Sequence, residues 1–171
     1  MFATGGDEES FRAYVVARTP ALSRTAYLLT GDAHRAEDLV QGALLEAARR
    51  WHRIHGDPHP YVRRVLVTQN VSAWRARGRR VREAAWEEQY DAPAPFADPD
   101  LRLTLAEALG RLTPRQRSVL VLRYYEDLTE REAAEVLGIS AGSVKSIGRQ
   151  ALARLRVLAP ELAELVGREE R

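Results

Sequence analysis

The stretch Leu128-Thr-Glu-Arg-Glu-Ala-Ala-Glu-Val-Leu-Gly-Ile-Ser-Ala-Gly-Ser-Val-Lys-Ser-Ile-Gly-Arg-Gln-Ala-Leu-Ala-Arg-Leu-Arg156 decides how this chain folds. Thr129 is placed to cap a short helix over 130–137, with Glu132 at the third helical position completing a capping box. Gly138 falls where the chain must turn sharply, a position that needs positive φ and so favours glycine. Ser140 then caps a second helix that starts at Ala141. Ala133, Ala134, Leu137, Ile139, Val144 and Ile147 recur at the spacing that lets two short helices pack across one another, with Ala134 small at the closest approach. The pattern predicts a helix-turn-helix.

At about 100° per residue, Val144, Ile147, Ala151 and Leu155 share one face of the second helix. Gly142, Ser146, Arg149 and Ala153 point the other way, flanked by Lys145 and Gln150, and no carboxylate occurs from Ser140 to Arg156. Small, hydrogen-bonding and cationic side chains on an outer face suit the major groove of DNA. The alternative is a helical hairpin with a merely solvated basic face. Capping, turn glycine and charge bias together favour the groove reader.

Working outward, 171 residues allow one large domain or two small ones. Ala, Leu, Arg and Glu dominate and alternating apolar–polar runs are scarce, which predicts an all-α protein. The chain has no cysteine, which excludes disulfides and thiolate zinc sites. No apolar run approaches bilayer-spanning length, and the opening Met1 to Asp7 lacks a charged-then-apolar signal, so a cytoplasmic protein is expected, without membrane insertion. The net charge of +2 says little about partners, whereas its distribution says more. Seven arginines and no acid lie between Tyr61 and Arg82, and six acids and no base between Glu83 and Asp100. Separated blocks of opposite sign indicate two electrostatic roles.

A first helix is expected over 8–18 with Phe11, Tyr14, Val15 and Ala17 inward, and a second begins at Pro20 under a Thr19 cap, burying Leu22, Ala26, Tyr27 and Leu29. After Thr30-Gly31-Asp32, a third runs to about Arg53 with Ala36, Leu39, Val40, Ala43, Leu44, Ala47 and Trp51 as its stripe, interrupted by Gly42. His52, His55, Asp57 and His59 crowd a Gly-Pro loop, but without the i, i+4 spacing of a helical zinc motif, so the span reads as an exposed turn and no metal is expected. A fourth helix over 61–78 sets Tyr61, Val62, Val65, Leu66, Gln69 and Ser72 to one side. Arg63, Arg64, Asn70, Trp74, Arg75 and Arg77 supply cations, an amide and an aromatic, a mixture able to hold phosphates and stack on an unpaired base. On this helix alone, a core Trp74 with solvated arginines weighs equally.

Residues 83–99 read as an acidic linker with Pro93, Pro95 and Pro99, in which Trp86, Tyr90 and Phe96 are unusual for a spacer. Beyond it, a helix over 101–112 turns Leu101, Leu105, Ala108 and Leu109 inward. Thr113-Pro114 restarts the chain, and 116–125 brings Val119, Leu120, Leu122 and Tyr124 over the helix-turn-helix. A short helix from Pro160 to Gly167 precedes a charged tail.

Three motifs together carry a resemblance: Leu-Thr-Gly-Asp…Ala-Glu-Asp-Leu-Val-Gln over 29–41, Tyr-Val-Arg-Arg-Val-Leu-Val over 61–67, and Leu-Thr-Pro-Arg-Gln-Arg…Val-Lys-Ser over 112–146. They resemble an extracytoplasmic-function sigma factor of the sigma-70 superfamily, nearest the SigE-like subgroup, over about residues 8–157. The resemblance implies sigma domain 2 over 7–80, an acidic Pro-containing linker over 81–99, sigma domain 4 over 100–158 and a C-terminal segment over 159–171. It implies a protein that binds core RNA polymerase and directs initiation at −35/−10 promoters, without cofactor or catalytic residue. Asp38, Leu39, Gln41 and Leu45 are then expected at the polymerase clamp. Arg63, Arg64, Thr68, Asn70, Trp74, Arg75 and Arg77 are expected at the −10 duplex and its melted strand. Ser140, Gly142, Ser143, Lys145, Ser146, Arg149 and Gln150 are expected at the −35 element. An anti-sigma protein joins the candidate partners.

Three departures stand out: Gly42 replaces a common Glu, Thr68 replaces a common Asn, and Ile147-Gly148-Arg149-Gln150 breaks the usual polar–apolar–polar–Arg order. They lower the expected clamp affinity, leave the base-capturing residue open and soften the recognition helix. A stand-alone LuxR-like regulator shares the Leu-Thr-x-Arg…Val-Lys pattern, but a receiver half would need strands. A helical decoy or adaptor that binds polymerase without starting transcription is the third reading. No nucleophile–base pair or phosphate loop speaks for an enzyme.

Overall fold

The computed structural model describes residues 5–84 and 105–160, with side chains of 77–84 outside the description. Most of these residues are helical, and no strand occurs among them. In the N-terminal unit, α1 (Gly5–Thr30), α2 (Ala33–Arg50), a 3₁₀ turn (Trp51–Arg53) and α3 (His59–Ala84) form an antiparallel arrangement. The C-terminal unit holds α4 (Leu105–Gly110), α5 (Pro114–Leu120), a π-helical turn (Val121–Tyr125), α6 (Glu130–Leu137) and α7 (Ala141–Leu158).

One expected break is absent. α1 runs unbroken through Pro20, where the sequence suggested two helices. An interior proline costs a helix about 3 kcal/mol through a lost hydrogen bond and a clash with the preceding turn. Here Pro20 is exposed, and Val16, whose carbonyl loses its partner, is 75% exposed, so water can satisfy that oxygen. Burial of Leu22, Ala26 and Leu29 on one continuous face outweighs the penalty, at about 1.5–3 kcal/mol per large apolar side chain. The continuous helix also turns Ala17 and Tyr27 outward, against expectation.

α1 ends at Gly31, whose φ of +69° makes the left-handed turn, and Asp32 caps α2 by accepting the Arg35 N–H at 2.8 Å. The α2 stripe packs as expected, with Ala36, Val40, Ala43 and Ala47 buried, and Trp51 closes the end of the bundle. Its ring meets Phe11 edge-on at 5.0 Å, and its indole N–H donates to Ser10 Oγ at 2.8 Å. α3 begins at His59, two residues early, because Asp57 accepts the His59 N–H at 3.0 Å. It runs to Ala84, six residues past the expected end and into the stretch read as linker. Ser72, expected inward, is exposed, whereas Val67 and Val71 are buried. Residues 85–104 and 161–171, with Trp86, Tyr90, Phe96, Leu101 and the expected last helix after Pro160, lie outside the described residues.

The C-terminal unit follows the local signals closely. Capping boxes form at Thr113/Gln116 and at Thr129/Glu132, Gly138 takes a φ of 65°, and Ser140 caps α7. Glu132 is held below the usual carboxylate range, chiefly by the hydrogen bond from the Thr129 hydroxyl and then by the Thr129 backbone N–H. Two features differ. The segment after Leu120 is a π-helical turn, in which the Glu126 N–H reaches back to the Val121 carbonyl at 3.0 Å. Leu105, expected inward, is 38% exposed.

Candidate nucleic-acid and polymerase interface

Three surfaces hold the expected site residues. On α7, Val144, Gly148, Ala151, Leu152 and Leu155 are buried, which leaves Gly142, Lys145, Arg149 and Gln150 exposed on the outer side. Gly148 is thus a packing residue: a Cβ there would stand 3.7 Å from Val119 Cγ1, so α7 crosses α5 with room for one more methyl. Ser140 Oγ accepts the Ser143 N–H at 3.1 Å and lies 2.8 Å from Ser143 Oγ, so these two serines first of all build the helix start. Ser146 is half-buried.

On α3, Arg64, Ser72 and Arg75 are exposed and Thr68 is half-buried between them; spacings of four, four and three residues set them in one row. Ser72, read from the sequence as inward, joins this row, four residues after Thr68. The Thr68 hydroxyl donates within its own helix, to the Arg64 carbonyl at 2.8 Å and the Val65 carbonyl at 3.0 Å, which leaves its oxygen as an acceptor. The Arg75 guanidinium lies 5.6 Å from the Trp74 ring centroid. Trp74 is half-buried against the core, with an indole N–H that has no partner among the described residues. The Arg77 side chain lies outside the description.

Two expected contact residues do not sit on this row. Arg63 is turned toward Glu126 at 3.5 Å. Asn70 is only 4% exposed, because positions 62, 66 and 70 share the inward side of α3. Asn70 instead belongs to a cleft of about 270 Å³ between α2 and α3, lined by Thr30, Arg35, Asp38, Leu39, Gln69, Asn70 and Ala73.

On α2, Asp38 and Gln41 are exposed one turn apart, with the Gln41 amide donating to Glu37 at 3.2 Å; Leu45 is 55% exposed and Leu39 is half-buried. Gly42 has a packing reason. A Cβ there would come within 2.8 Å of Gln69 Oε1, so the missing side chain lets the Gln69 amide lie against α2. At the far end of the N-terminal unit, His59 Nδ1 lies 3.3 Å from the Tyr14 hydroxyl. Burial, then the Arg18 charge, holds His59 below its ordinary value, and burial pushes Tyr14 up to about 12.

Comparison with known proteins bears on what these surfaces serve. Residues 14–80 match the family Sigma-70 region 2, and residues 108–157 match Sigma-70, region 4. The chain is 39% identical over 173 residues to the RNA polymerase sigma-E factor of Streptomyces coelicolor, covering 97% of each. It belongs to the sigma-70 family. This sigma factor is also 32% identical over 170 residues to the extracytoplasmic-function sigma factor SigL of Mycobacterium tuberculosis, covering 94% of each. A solved relative, the sigma factor RpoE of Bartonella quintana in complex with the anti-sigma factor NepR, superposes with a TM-score of 0.66 at 26% identity, over 88% of this chain and 96% of that one. The resemblance read from the motifs therefore holds: this is a sigma factor that directs transcription initiation, built of helical region 2 and region 4 units. No helix among the described residues is long and apolar enough to cross a membrane.

Proposed function

We propose that the sigma factor divides promoter recognition between its units while docked on core RNA polymerase, with no catalytic step of its own. The observation that carries this division is one chain holding two separate cation-bearing, DNA-compatible faces: the Arg64–Thr68–Ser72–Arg75 row of α3 and the acid-free outer face of α7.

In this reading α7 lies in the major groove at the −35 element. Arg149 and Gln150 reach base edges, Lys145 and Ser146 lie along the groove wall, and the N-terminal turn from Ser140 through Gly142 and Ser143 meets phosphate. Sigma domain 4 spans 100–158. α3 holds the −10 backbone through Arg64, Arg75 and Arg77, with the Thr68 oxygen accepting from a base freed by melting and Trp74 walling its pocket. Asn70 supports that wall from below. Sigma domain 2 spans 7–80, and the acidic stretch 81–99 runs along the path that RNA later takes. α2 docks on the polymerase clamp through Asp38 and Gln41, with Leu39 and Leu45 as apolar neighbours. The protein acts in the cytoplasm, and an anti-sigma protein is a partner by analogy with the RpoE–NepR complex.

Asp38→Ala combined with Gln41→Ala tests the docking edge. Both residues are exposed, so the fold should survive, and affinity for core polymerase should fall by about tenfold or more, equivalent to about 1.4 kcal/mol. Unchanged affinity moves the docking surface elsewhere.

A further inference from the structure

A buried amide without a hydrogen-bond partner destabilises the fold that holds it, and α3 carries one that the chain leaves unmatched. Asn70 is 4% exposed, yet neither its side chain nor that of Gln69 makes a hydrogen bond to any described residue. Both line the cleft of about 270 Å³ between α2 and α3. A gap in the facing helix admits Gln69: position 42 has no Cβ, and one there would stand 2.8 Å from Gln69 Oε1. From α2 the cleft is lined by Arg35 and Asp38, both exposed, and by half-buried Leu39. Thr30 also lines it, but its hydroxyl is committed to the Ala26 carbonyl at 2.8 Å.

This lining defines what the cleft can hold. One guanidinium and one carboxylate leave it without net charge, so an ionic occupant would meet a like charge as well as an opposite one. Two adjacent carboxamides each donate and accept, and they pair best with a group that does both, which is another amide. Leu39 and Ala73 supply apolar surface for the carbons beside it.

A nucleobase edge has the same hydrogen-bonding character, but the cleft faces the wrong way for DNA. At about 100° per residue, Gln69, Asn70 and Ala73 centre about 150° around α3 from the Arg64–Thr68–Ser72–Arg75 row. The cleft lies instead beside the docking edge of α2, with which it shares Asp38 and Leu39.

We propose that the α2–α3 cleft receives an amide group presented by core polymerase, hydrogen-bonded by Asn70 and Gln69, and that glycine at position 42 lets the Gln69 amide reach across to the docking edge. The proposal rests on the reading of α2 as that edge and extends it onto α3. Affinity of the full-length protein, labelled at its N-terminus, for purified core polymerase tests it beside thermal unfolding of the free protein. Asn70→Leu keeps the approximate size and removes the amide. Because that amide is unmatched in the free protein, Tm should hold or rise while core affinity falls by about tenfold. A lowered Tm at unchanged affinity would make Asn70 a support of the fold alone and overturns the proposal. Gln69→Ala should weaken binding several-fold. Gly42→Ala, whose methyl displaces the Gln69 amide, should weaken binding in the parent but not in the Gln69→Ala background. Equal losses in both backgrounds overturn the role of Gln69. Should Asn70→Leu fail to fold, Gln69→Ala and Gly42→Ala decide the matter. The double variant Asp38→Ala/Gln41→Ala separates the two readings: affinity lost there but kept in the Asn70 and Gln69 variants overturns the cleft and leaves the docking edge standing, whereas affinity kept in all of them overturns both. Unchanged core affinity with weaker binding of fork-junction −10 DNA by the assembled holoenzyme would assign the cleft to a nucleobase and overturns the polymerase ligand.

Discussion

Replacing Gly148 with alanine should make this sigma factor more stable while leaving −35 recognition intact. The residue sits in the middle of α7 on its inward face. Alanine is favoured over glycine in a helix interior by about 0.8–1.0 kcal/mol. The added methyl would meet Val119 Cγ1 at 3.7 Å, ordinary van der Waals contact, so the overpacking cost of about 1–3 kcal/mol that a crowded core exacts does not apply. Burying that methyl adds up to about 0.8 kcal/mol. The sum is about 1–1.5 kcal/mol, which for a chain of this size raises Tm by about 3–5 °C. Thermal unfolding followed by circular dichroism measures it. Because the change points away from the groove, affinity for a −35 duplex should stay within about twofold. A lowered Tm would refute the packing argument, and a large loss of DNA binding at unchanged stability would refute the assignment of the faces of α7.

Arg149→Ala should relax discrimination at one −35 position by about 1–3 kcal/mol, measured on a promoter library, whereas uniform weakening would make it a phosphate contact. Arg75→Ala with Arg77→Ala should lower the slope of log affinity against log salt by about 0.9 for each phosphate no longer neutralised, and an unchanged slope would place both away from DNA. His59 adds a pH dependence. Burial holds its folded-state value below 6.5, so the unfolded chain takes up its proton first as pH falls. Its contribution is complete above pH 6.5 and declines as pH drops from there through the lowered folded value. The stability difference between the parent and His59→Gln should therefore shrink between pH 7.5 and 5.5, and a difference that grows would contradict the burial of the neutral ring.

What the sequence made legible was local. The helix-turn-helix was readable from Thr129, Glu132, Gly138 and Ser140, because a cap or a left-handed turn is settled by a few adjacent residues. The α2 stripe was readable from its helical period. Pro20 misled because its local cost was weighed without the continuous face from Tyr14 to Leu29 that packs across it. Asn70 was grouped with the arginines by chemistry, but its position is set by the period of α3, which turns it inward. The π turn had no sequence signal, and without it the facing of Glu126 could not be placed. Arg117 and Glu126 both reach α1, at Leu29 and Thr25, 88 and 101 residues away, a distance over which no spacing rule operates.

The measurement that bears most directly on the whole account is run-off transcription by purified core polymerase with this protein on a promoter library. Transcripts should start only when the protein is added, from templates sharing one −35 and one −10 element, and Arg149→Ala should broaden the −35 element alone. A protein that binds the polymerase yet yields no start site, or starts that ignore template sequence, would contradict it.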